Sequence, residues 1–188
     1  MQLPTDAVLA LIDLQQAIDA PYWGPRNNPD AEARAATLLA CWRRTGRPIV
    51  HVRHDSTLPG SAYRPGQPGN DFKPIVAPLP GEVVVAKRTN SAFIGTDLEA
   101  RLRVAGRTTL VLCGVATSNS LEATARMAGN LGFVTYVVAD ACFTFDKRTL
   151  DGRLVAAEDV HGLSLAHLHG EYATVVDSSW VRREAGCG

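Results

Sequence analysis

The sequence predicts one α/β domain with a doubly wound parallel sheet of about six strands and helices on both faces. Apolar runs of strand length alternate with longer helical segments along the whole chain. The runs are continuous rather than alternating, as is typical of strands buried on both faces. The 188 residues show no internal repeat and no linker. We therefore expect a single domain over residues 1–180 and a mobile tail over residues 181–188.

The predicted strands are short apolar runs, most of them bounded by glycine, proline or charged residues. They cover residues 7–14, 48–54, 83–87, 108–114, 133–141 and 172–177. Because a helical segment or a long loop separates neighbouring runs, the strands are expected to be parallel.

Helices are predicted over residues 27–46, 96–106, 118–131 and 156–170. In the first helix, Asn28 suits the N-cap and Gly46 suits the C-terminal stop. In the second helix, Thr96 and Glu99 have the spacing of a capping box. The segment 55–81 is rich in proline and glycine and is long for a loop in a compact domain. We expect it to determine specificity.

Composition and charge exclude several classes of protein. Lys+Arg and Asp+Glu total 19 each, so nothing in the charge suggests nucleic acid or an anionic membrane as a partner. The first residues lack the basic region of a signal peptide, and no apolar run reaches the length of a membrane span. The cysteines are far apart and form no CxxC pair. We expect a cytoplasmic protein without disulfides or a cysteine-based metal site.

Three polar residues follow predicted strands. Asp13 closes the first strand, Lys87 closes the third, and Ser120 lies in the turn after the fourth. Ligand sites in such sheets form at the carboxyl ends of the strands, so a carboxylate, an ammonium and a hydroxyl could meet there. Each residue also has an ordinary structural role, as a turn former, a solvated charge or a helix cap. From spacing alone, the structural roles are slightly favoured.

Longer motifs favour the functional interpretation, because six of them occur in one order along nearly the whole chain. The motifs are LIDLQ, WGPRNNP, HVRHDS, VVVAKRTNSAFIGTDLEARL, GVATSNSLEATARMAGNLGF and DACFTFD. Together they resemble the isochorismatase-like cysteine hydrolases. That family includes nicotinamidases, N-carbamoylsarcosine amidohydrolases and ureide and streptothricin hydrolases.

The resemblance implies hydrolysis of a small-molecule amide or ureide C–N bond. Asp13 would be the general acid and base, Lys87 the supporting cation, and residue 120 the nucleophile. A cis peptide is expected between Ala116 and Thr117. The oxyanion hole is expected at Ala116, Thr117 and residue 120. The backbone N–H groups of Thr117 and residue 120 would bind the developing oxyanion.

The chain departs from the family at its centre, since Ser120 stands where the family has cysteine. A serine hydroxyl is much less acidic than a thiol and normally needs a well-aligned base. Three interpretations of Ser120 remain open. It is an engineered replacement that stops turnover, which the complete surrounding motifs favour. Alternatively, the chain hydrolyses an enol ether without a covalent step, as isochorismatases proper do, or it is a serine hydrolase with a displaced base. A catalytically silent small-molecule-binding homologue is a further alternative.

Residues that could line the substrate pocket are less sharply defined. Trp23, Phe72 and Phe145 have flat rings that suit a planar substrate, although ordinary packing explains them equally well. Asn90 follows Lys87 closely, and capping is its more common role. Arg53 and His54 end the second strand and could bind an acidic group or form surface pairs.

The sequence offers too few ligands for a metal site. Nicotinamidases resembling this chain bind zinc after the second strand, where this chain has His51, His54 and Asp55. His51 is expected to point into the sheet, which leaves two ligands and therefore no metal and no cofactor. The histidines of the late helix, His161 and its neighbours, are interpreted as helix or interface residues. The resemblance also implies a homo-oligomer, a dimer or tetramer, with helix 156–170 and the tail as candidate contacts.

Overall fold

A six-stranded parallel sheet forms the centre of the computed structural model, which describes residues 3–187. Its strand order is β3-β2-β1-β4-β5-β8, and a separate two-stranded antiparallel hairpin is formed by β6 and β7. The strands are β1 (Val8–Ile12), β2 (Ile49–His54), β3 (Val83–Lys87), β4 (Thr109–Val115), β5 (Val134–Phe143), β6 (Lys147–Arg148), β7 (Leu154–Val155) and β8 (Thr174–Val176). The predicted fold class is confirmed, because β1 and β4 are buried along their whole length.

Four of the five α-helices in the described part of the chain pack in two pairs against the sheet. The five are α1 (Ala31–Thr45), α2 (Leu98–Val104), α3 (Glu122–Asn130), α4 (Ala157–Leu168) and α5 (Ser178–Glu184). Helix α1 packs with α5 and α3 packs with α4, and both pairs contact β5. The strands are added to one side of β1 up to β3 and then to its other side from β4 onwards. The topological switch point therefore lies between β1 and β4, where a crevice opens at the carboxyl ends of the strands.

Two predicted helix caps are wrong. Helix α1 begins at Ala31, after the expected N-cap Asn28, whose φ of 44° is left-handed and whose side chain bonds elsewhere. The capping box does not form, because Thr96 Oγ1 donates to Ala92 O at 2.6 Å and Glu99 pairs with Arg103. In both cases a tertiary or neighbouring partner replaces the local one. The stop at Gly46 is confirmed by its φ of 64°.

The tail that was expected to be mobile is instead a packed helix. Helix α5 covers its first half, and Val181 and Cys187 are buried. Cys187 forms a disulfide with Cys41 of α1, with the two Cα atoms 5.8 Å apart, so the expectation of no disulfide is wrong. The pair is 146 residues apart, and sequence spacing carries no information about such a contact. The last expected tail residue, Gly188, lies outside the described residues.

Both ends of the described chain meet at one side chain. The guanidinium of Arg47 donates to Pro4 O and to Ala185 O. Arg47 is buried, so these bonds tie the N-terminal segment and the end of α5 to the start of β2.

The long segment 55–81 is ordered around one buried side chain. Asn70 donates to His54 O at 3.0 Å and to Tyr63 O at 2.8 Å, and its backbone oxygen accepts from Gln15 Nε2. The part nearest the crevice, residues 58–61, stays largely exposed. Within the described residues, no helix is both long enough and apolar enough to cross a membrane.

Candidate active site

A pocket of about 440 Å³ opens at the carboxyl ends of β1 and β4. Its lining comes from strand ends, from the turn after β4 (Thr117–Leu121, the proposed nucleophile turn) and from the loops after β1, β2, β3 and β5. The lining residues are Asp13, Ile18, Tyr22, Trp23, His54, Ser56, Leu58, Pro59, Gly60, Ser61, Tyr63, Asn90, Val115, Ala116, Asn119, Ser120, Phe145 and Lys147. Ligand pockets in doubly wound sheets form at this position.

Asp13, Lys87 and Ser120 meet at the floor of this pocket. Lys87 Nζ lies 2.6 Å from Asp13 Oδ2 and 3.1 Å from Ser120 Oγ. Lys87 also donates to Thr89 O at 3.1 Å, which directs the ammonium into the site. All three side chains are buried, and the Lys87 side chain has no exposed surface. The structure therefore brings together the three residues that the strand ends predict.

The Asp13 carboxyl is deeply buried and only partly hydrogen-bonded. Burial raises its pKa, and the Lys87 ammonium beside it opposes that shift. One oxygen, Oδ1, is buried and has no hydrogen-bond partner in the described part of the chain. An acceptor that is desolvated and unpaired can take up a proton from a group entering the pocket.

His54 extends the polar floor towards the pocket wall. Its Nδ1 lies 3.5 Å from Lys87 Nζ, and its ring meets the Tyr63 ring edge-on with centroids 5.6 Å apart. Burial and the Lys87 charge lower the pKa of His54, so the ring is neutral near pH 7.

The turn that carries Ser120 is a π-helical turn, Thr117–Leu121, that leads into α3. The cis peptide lies between Val115 and Ala116, one residue before the expected bond between Ala116 and Thr117. Ala116, Asn119 and Ser120 line the pocket, while the Thr117 side chain is buried behind the turn. The turn therefore presents its backbone and Ser120 to the same space.

Hydrogen bonds from α4 and β5 hold the back of this turn. Thr117 Oγ1 lies 2.9 Å from His161 Nδ1, and Ser118 Oγ lies 2.8 Å from Thr144 Oγ1. Asn27 Oδ1 accepts from Thr144 N at 2.9 Å, which fixes the second contact. The turn is thus braced through two hydroxyl groups.

The state of His161 follows from its surroundings. Asn28 Nδ2 donates to Ala139 O and Cys142 O, which orients its amide, and lies 3.5 Å from His161 Nε2. Because that amide gives both of its hydrogens to the two backbone oxygens, the short polar contact of the His161 ring is the one between Nδ1 and Thr117 Oγ1. Burial lowers the pKa of His161, which keeps the ring neutral. His161 lies in helix α4, as interpreted from the sequence, but its contact with Thr117 was not predicted, because nothing local links it to the turn.

Aromatic rings form one wall. Trp23 stacks on Phe145 with centroids 5.4 Å apart, and its indole N–H donates to Ala17 O. Tyr63 meets Trp23 edge-on at 6.5 Å. Trp23, Phe145, His54 and Asn90 thus lie in the lining, where the sequence interpretation placed them. Tyr63 was missed, since a single tyrosine in a long loop gives no signal in the sequence.

Two expected contributors, Phe72 and Arg53, lie elsewhere. Phe72 packs edge-on against His51 at 5.7 Å and does not line the pocket, because its segment pairs with Gln15. Arg53 is bound to Asp55 at 2.9 Å, so it is not available for an acidic substrate. His51 points into the sheet as expected and bonds to Glu82 at 2.8 Å. Among the described residues, no cluster of three or more His, Cys, Asp or Glu side chains could hold a metal ion.

A second group of charges lies beside the pocket, on the far side of Phe145. Arg26 makes two bonds to Glu32, at 2.7 and 2.6 Å, and Lys73 bonds to Glu32 at 2.7 Å and to Asp19 at 2.5 Å. Burial alone would raise the pKa of Glu32, but the bonds from Arg26 and Lys73 outweigh it and lower the pKa to about 2. This cluster joins the loop after β1 to α1 and to segment 55–81.

Comparisons with known proteins agree with this geometry. Residues 7–178 match the isochorismatase domain. The isochorismatase family protein YrdC of Bacillus subtilis is 40% identical over 168 residues, which cover 89% of this chain and 90% of YrdC. Maleamate amidohydrolase of Pseudomonas putida is 34% identical over 185 residues, covering 89% and 81%. A crystal structure of an isochorismatase-family protein from Chromobacterium violaceum is 56% identical, with a TM-score of 0.96 over 99% of this chain and 97% of the other.

Proposed function

The chain belongs to the isochorismatase family of hydrolases, and we propose that it hydrolyses the C–N bond of a small-molecule amide or ureide. One observation carries the proposal. A buried lysine ammonium bonds at once to a carboxylate and to a hydroxyl on the nucleophile turn, at 2.6 and 3.1 Å. A base, a cation and a nucleophile at one point are the components of acyl transfer. The similarity to a relative named maleamate amidohydrolase also favours an amide substrate.

The proposed reaction has two steps. Ser120 Oγ attacks the carbonyl carbon while its proton passes to Asp13. Asp13 then delivers that proton to the leaving nitrogen, the C–N bond breaks, and an acyl-enzyme remains. Water attacks the ester and gives a proton to Asp13, the bond from the acyl carbon to Ser120 Oγ breaks, and Asp13 passes that proton to Oγ as the acid product leaves. The raised pKa of Asp13 suits a group that must both accept and return a proton.

Lys87 and the turn backbone stabilise charge in this scheme. Lys87 keeps Asp13 in place and lies beside Ser120 Oγ, where negative charge develops. The N–H groups of Thr117 and Ser120, on the stretch that starts at Ala116, are the proposed donors to the oxyanion. Their position at the start of a helical turn suits an anion, because free N–H groups point away from the helix there.

Serine limits the rate that this site can reach. Its hydroxyl is far less acidic than a thiol, and Asp13 is a weak base for it. We therefore propose that a cysteine at position 120 would restore the full reaction. A second candidate is a true serine hydrolase with His54 as the base, which its neutral ring in the pocket lining favours.

The test compares ammonia release by this chain and by Ser120→Cys on a panel of small amides and ureides. We expect a gain of at least about a hundredfold with cysteine, because the thiolate forms readily beside Lys87. Ser118→Cys is the matched control. It places a thiol on the same turn but outside the pocket lining, and no gain is expected from it.

A serine hydrolase, a non-covalent hydrolase and a silent binding protein each predict a different result. Equal or lower activity in Ser120→Cys sinks the cysteine-type reaction. In that case, loss of activity in His54→Phe would support the serine hydrolase. Retained activity in Ser120→Ala on an enol ether would support the non-covalent route. Binding without turnover in every variant would support a silent homologue.

A further inference from the structure

Lys147 gives the pocket a positive charge that the proposed reaction does not use. It is half-buried and lines the pocket from the rim. In the part of the chain that the structure describes, its ammonium has no ion pair and no hydrogen bond. An ammonium at a pocket wall without a counter-charge is a binding group for an anion.

The other charges around the pocket are already paired or neutral. Asp13 and Lys87 neutralise each other at 2.6 Å, and His54 is neutral. Arg53 is tied to Asp55, outside the lining. The lining together with Lys87 therefore carries one uncompensated charge, and it is positive.

The position of Lys147 is defined by its hairpin. It begins β6, pairs with Val155 of β7, and follows the aromatic wall residue Phe145 by two positions. Asp146, between them, accepts from Ala157 N at the start of α4 at 2.8 Å, and among the described residues it forms no ion pair with Lys147. Lys147 thus lines the pocket close to the aromatic wall residue Phe145.

We propose that the substrate carries a carboxylate, which Lys147 binds while the amide or ureide group enters the floor. The substrate is then a short amido or ureido acid. One cation without an arginine or a second lysine in the lining suits a singly charged group better than a phosphate. This inference rests on the proposed function of the same pocket and identifies its substrate class.

The first test compares a carboxylate with a neutral molecule of the same shape. The pair is succinamate and 4-oxopentanamide, in which a methyl ketone replaces the carboxylate, assayed with the Ser120→Cys chain. We expect kcat/KM to favour succinamate, and Lys147→Met to reduce that preference by at least about tenfold, through KM more than kcat. Arg148→Met removes a charge from the same hairpin outside the pocket and should leave the preference unchanged.

A binding measurement keeps the subsite testable if no amide is hydrolysed. Succinamate is titrated into Ser120→Ala, and quenching of the Trp23 indole in the pocket lining reports occupancy. Saturable binding that Lys147→Met weakens at least about tenfold supports the subsite even when turnover is absent. Equal binding with and without Lys147, a preference for the neutral isostere, or no saturable succinamate binding up to millimolar concentration each overturns it. The binding measurement therefore tests the carboxylate subsite independently of the proposed hydrolysis, and either proposal can fail without the other.

Discussion

Two carboxylates in this protein each meet a lysine, yet their environments shift the pKa in opposite directions. Asp13 is buried at the pocket floor, and its pKa is raised despite Lys87 at 2.6 Å. Glu32 lies beside the pocket, and its pKa is lowered to about 2. Both oxygens of Glu32 accept from Arg26 or Lys73, whereas Asp13 keeps one oxygen without a partner among the described residues.

The difference shows why Asp13 is the proposed reactive carboxylate and why Glu32 has a structural role. Hydrogen bonds to both oxygens fix Glu32 as an anion, so it can only hold the surrounding loops together. Asp13 is more deeply desolvated and less completely bonded, which leaves it able to change its protonation. Each group is a carboxylate with a lysine beside it, Lys87 or Lys73, and the number of donors and the depth of burial distinguish the two.

The largest expected effect comes from Asp13→Asn. The amide keeps the shape of the side chain but cannot accept a proton, so turnover of the Ser120→Cys chain should fall by about a thousandfold. The measurement is kcat/KM for the best amide of the panel. Circular dichroism of the same variant must still show a folded protein, and turnover within a few-fold of the parent would end the assignment of Asp13 as acid and base.

Glu32→Gln should have the opposite profile to Asp13→Asn, because it should lower the stability of the protein and leave turnover almost unchanged. Loss of the anion leaves Arg26 and Lys73 short of a partner, and we expect about 2 kcal/mol less stability at pH 7. Because the folded pKa lies below the ordinary 4.5, the contribution of Glu32 is present above about pH 4.5 and is lost as pH falls towards 2.

Urea unfolding at several pH values measures this contribution. The difference between parent and Glu32→Gln should shrink as pH falls from 4.5 towards 2, while kcat at pH 7 stays close to that of the parent. Subtracting the two curves is necessary, since Glu82 also has a lowered pKa of about 2 and adds its own pH dependence. A difference independent of pH would mean that Glu32 acts by packing alone.

A smaller effect is expected from His161→Phe. This substitution tests whether turnover also depends on the hydrogen bond that holds the turn Thr117–Leu121 in place. Removing the bond to Thr117 Oγ1 should lower kcat of the Ser120→Cys chain about tenfold with little change in KM. His167→Phe makes the same change on an exposed position of α4 and serves as the control. Thr117→Val should have a similar effect, and the two substitutions combined should cost little more than either alone. Fully additive losses would show that His161 does not act through Thr117.

The sheet and the pocket floor could be predicted because both follow from local patterns. Continuous apolar runs marked the strands, and the carboxyl ends of parallel strands necessarily share an edge. Asp13, Lys87 and Ser120 each sit at such an end, so their meeting required no knowledge of side-chain packing. The hydrolytic motifs then indicated their chemistry.

Other features depend on contacts that no local pattern encodes. His161 reaches Thr117 only because α4 packs over the nucleophile turn, and Cys41 reaches Cys187 only because α5 packs on α1. Phe72 was misassigned because its direction depends on pairing with Gln15 rather than on its own neighbours. Lys147 follows a motif that was recognised, but whether a lysine is free or paired is a property of the folded surroundings.

The guanidinium of Arg47 binds both Pro4 O and Ala185 O, so the first and last described segments of the chain lie close together. A short flexible linker could join those two segments, and new ends could be opened at an exposed turn such as that of Gly152. The sheet order would survive such a circular permutation, because it is set by the pairing between strands and each strand would keep its neighbours. The reactive floor is thus a property of how the strands neighbour one another, independent of the point at which synthesis of the chain begins.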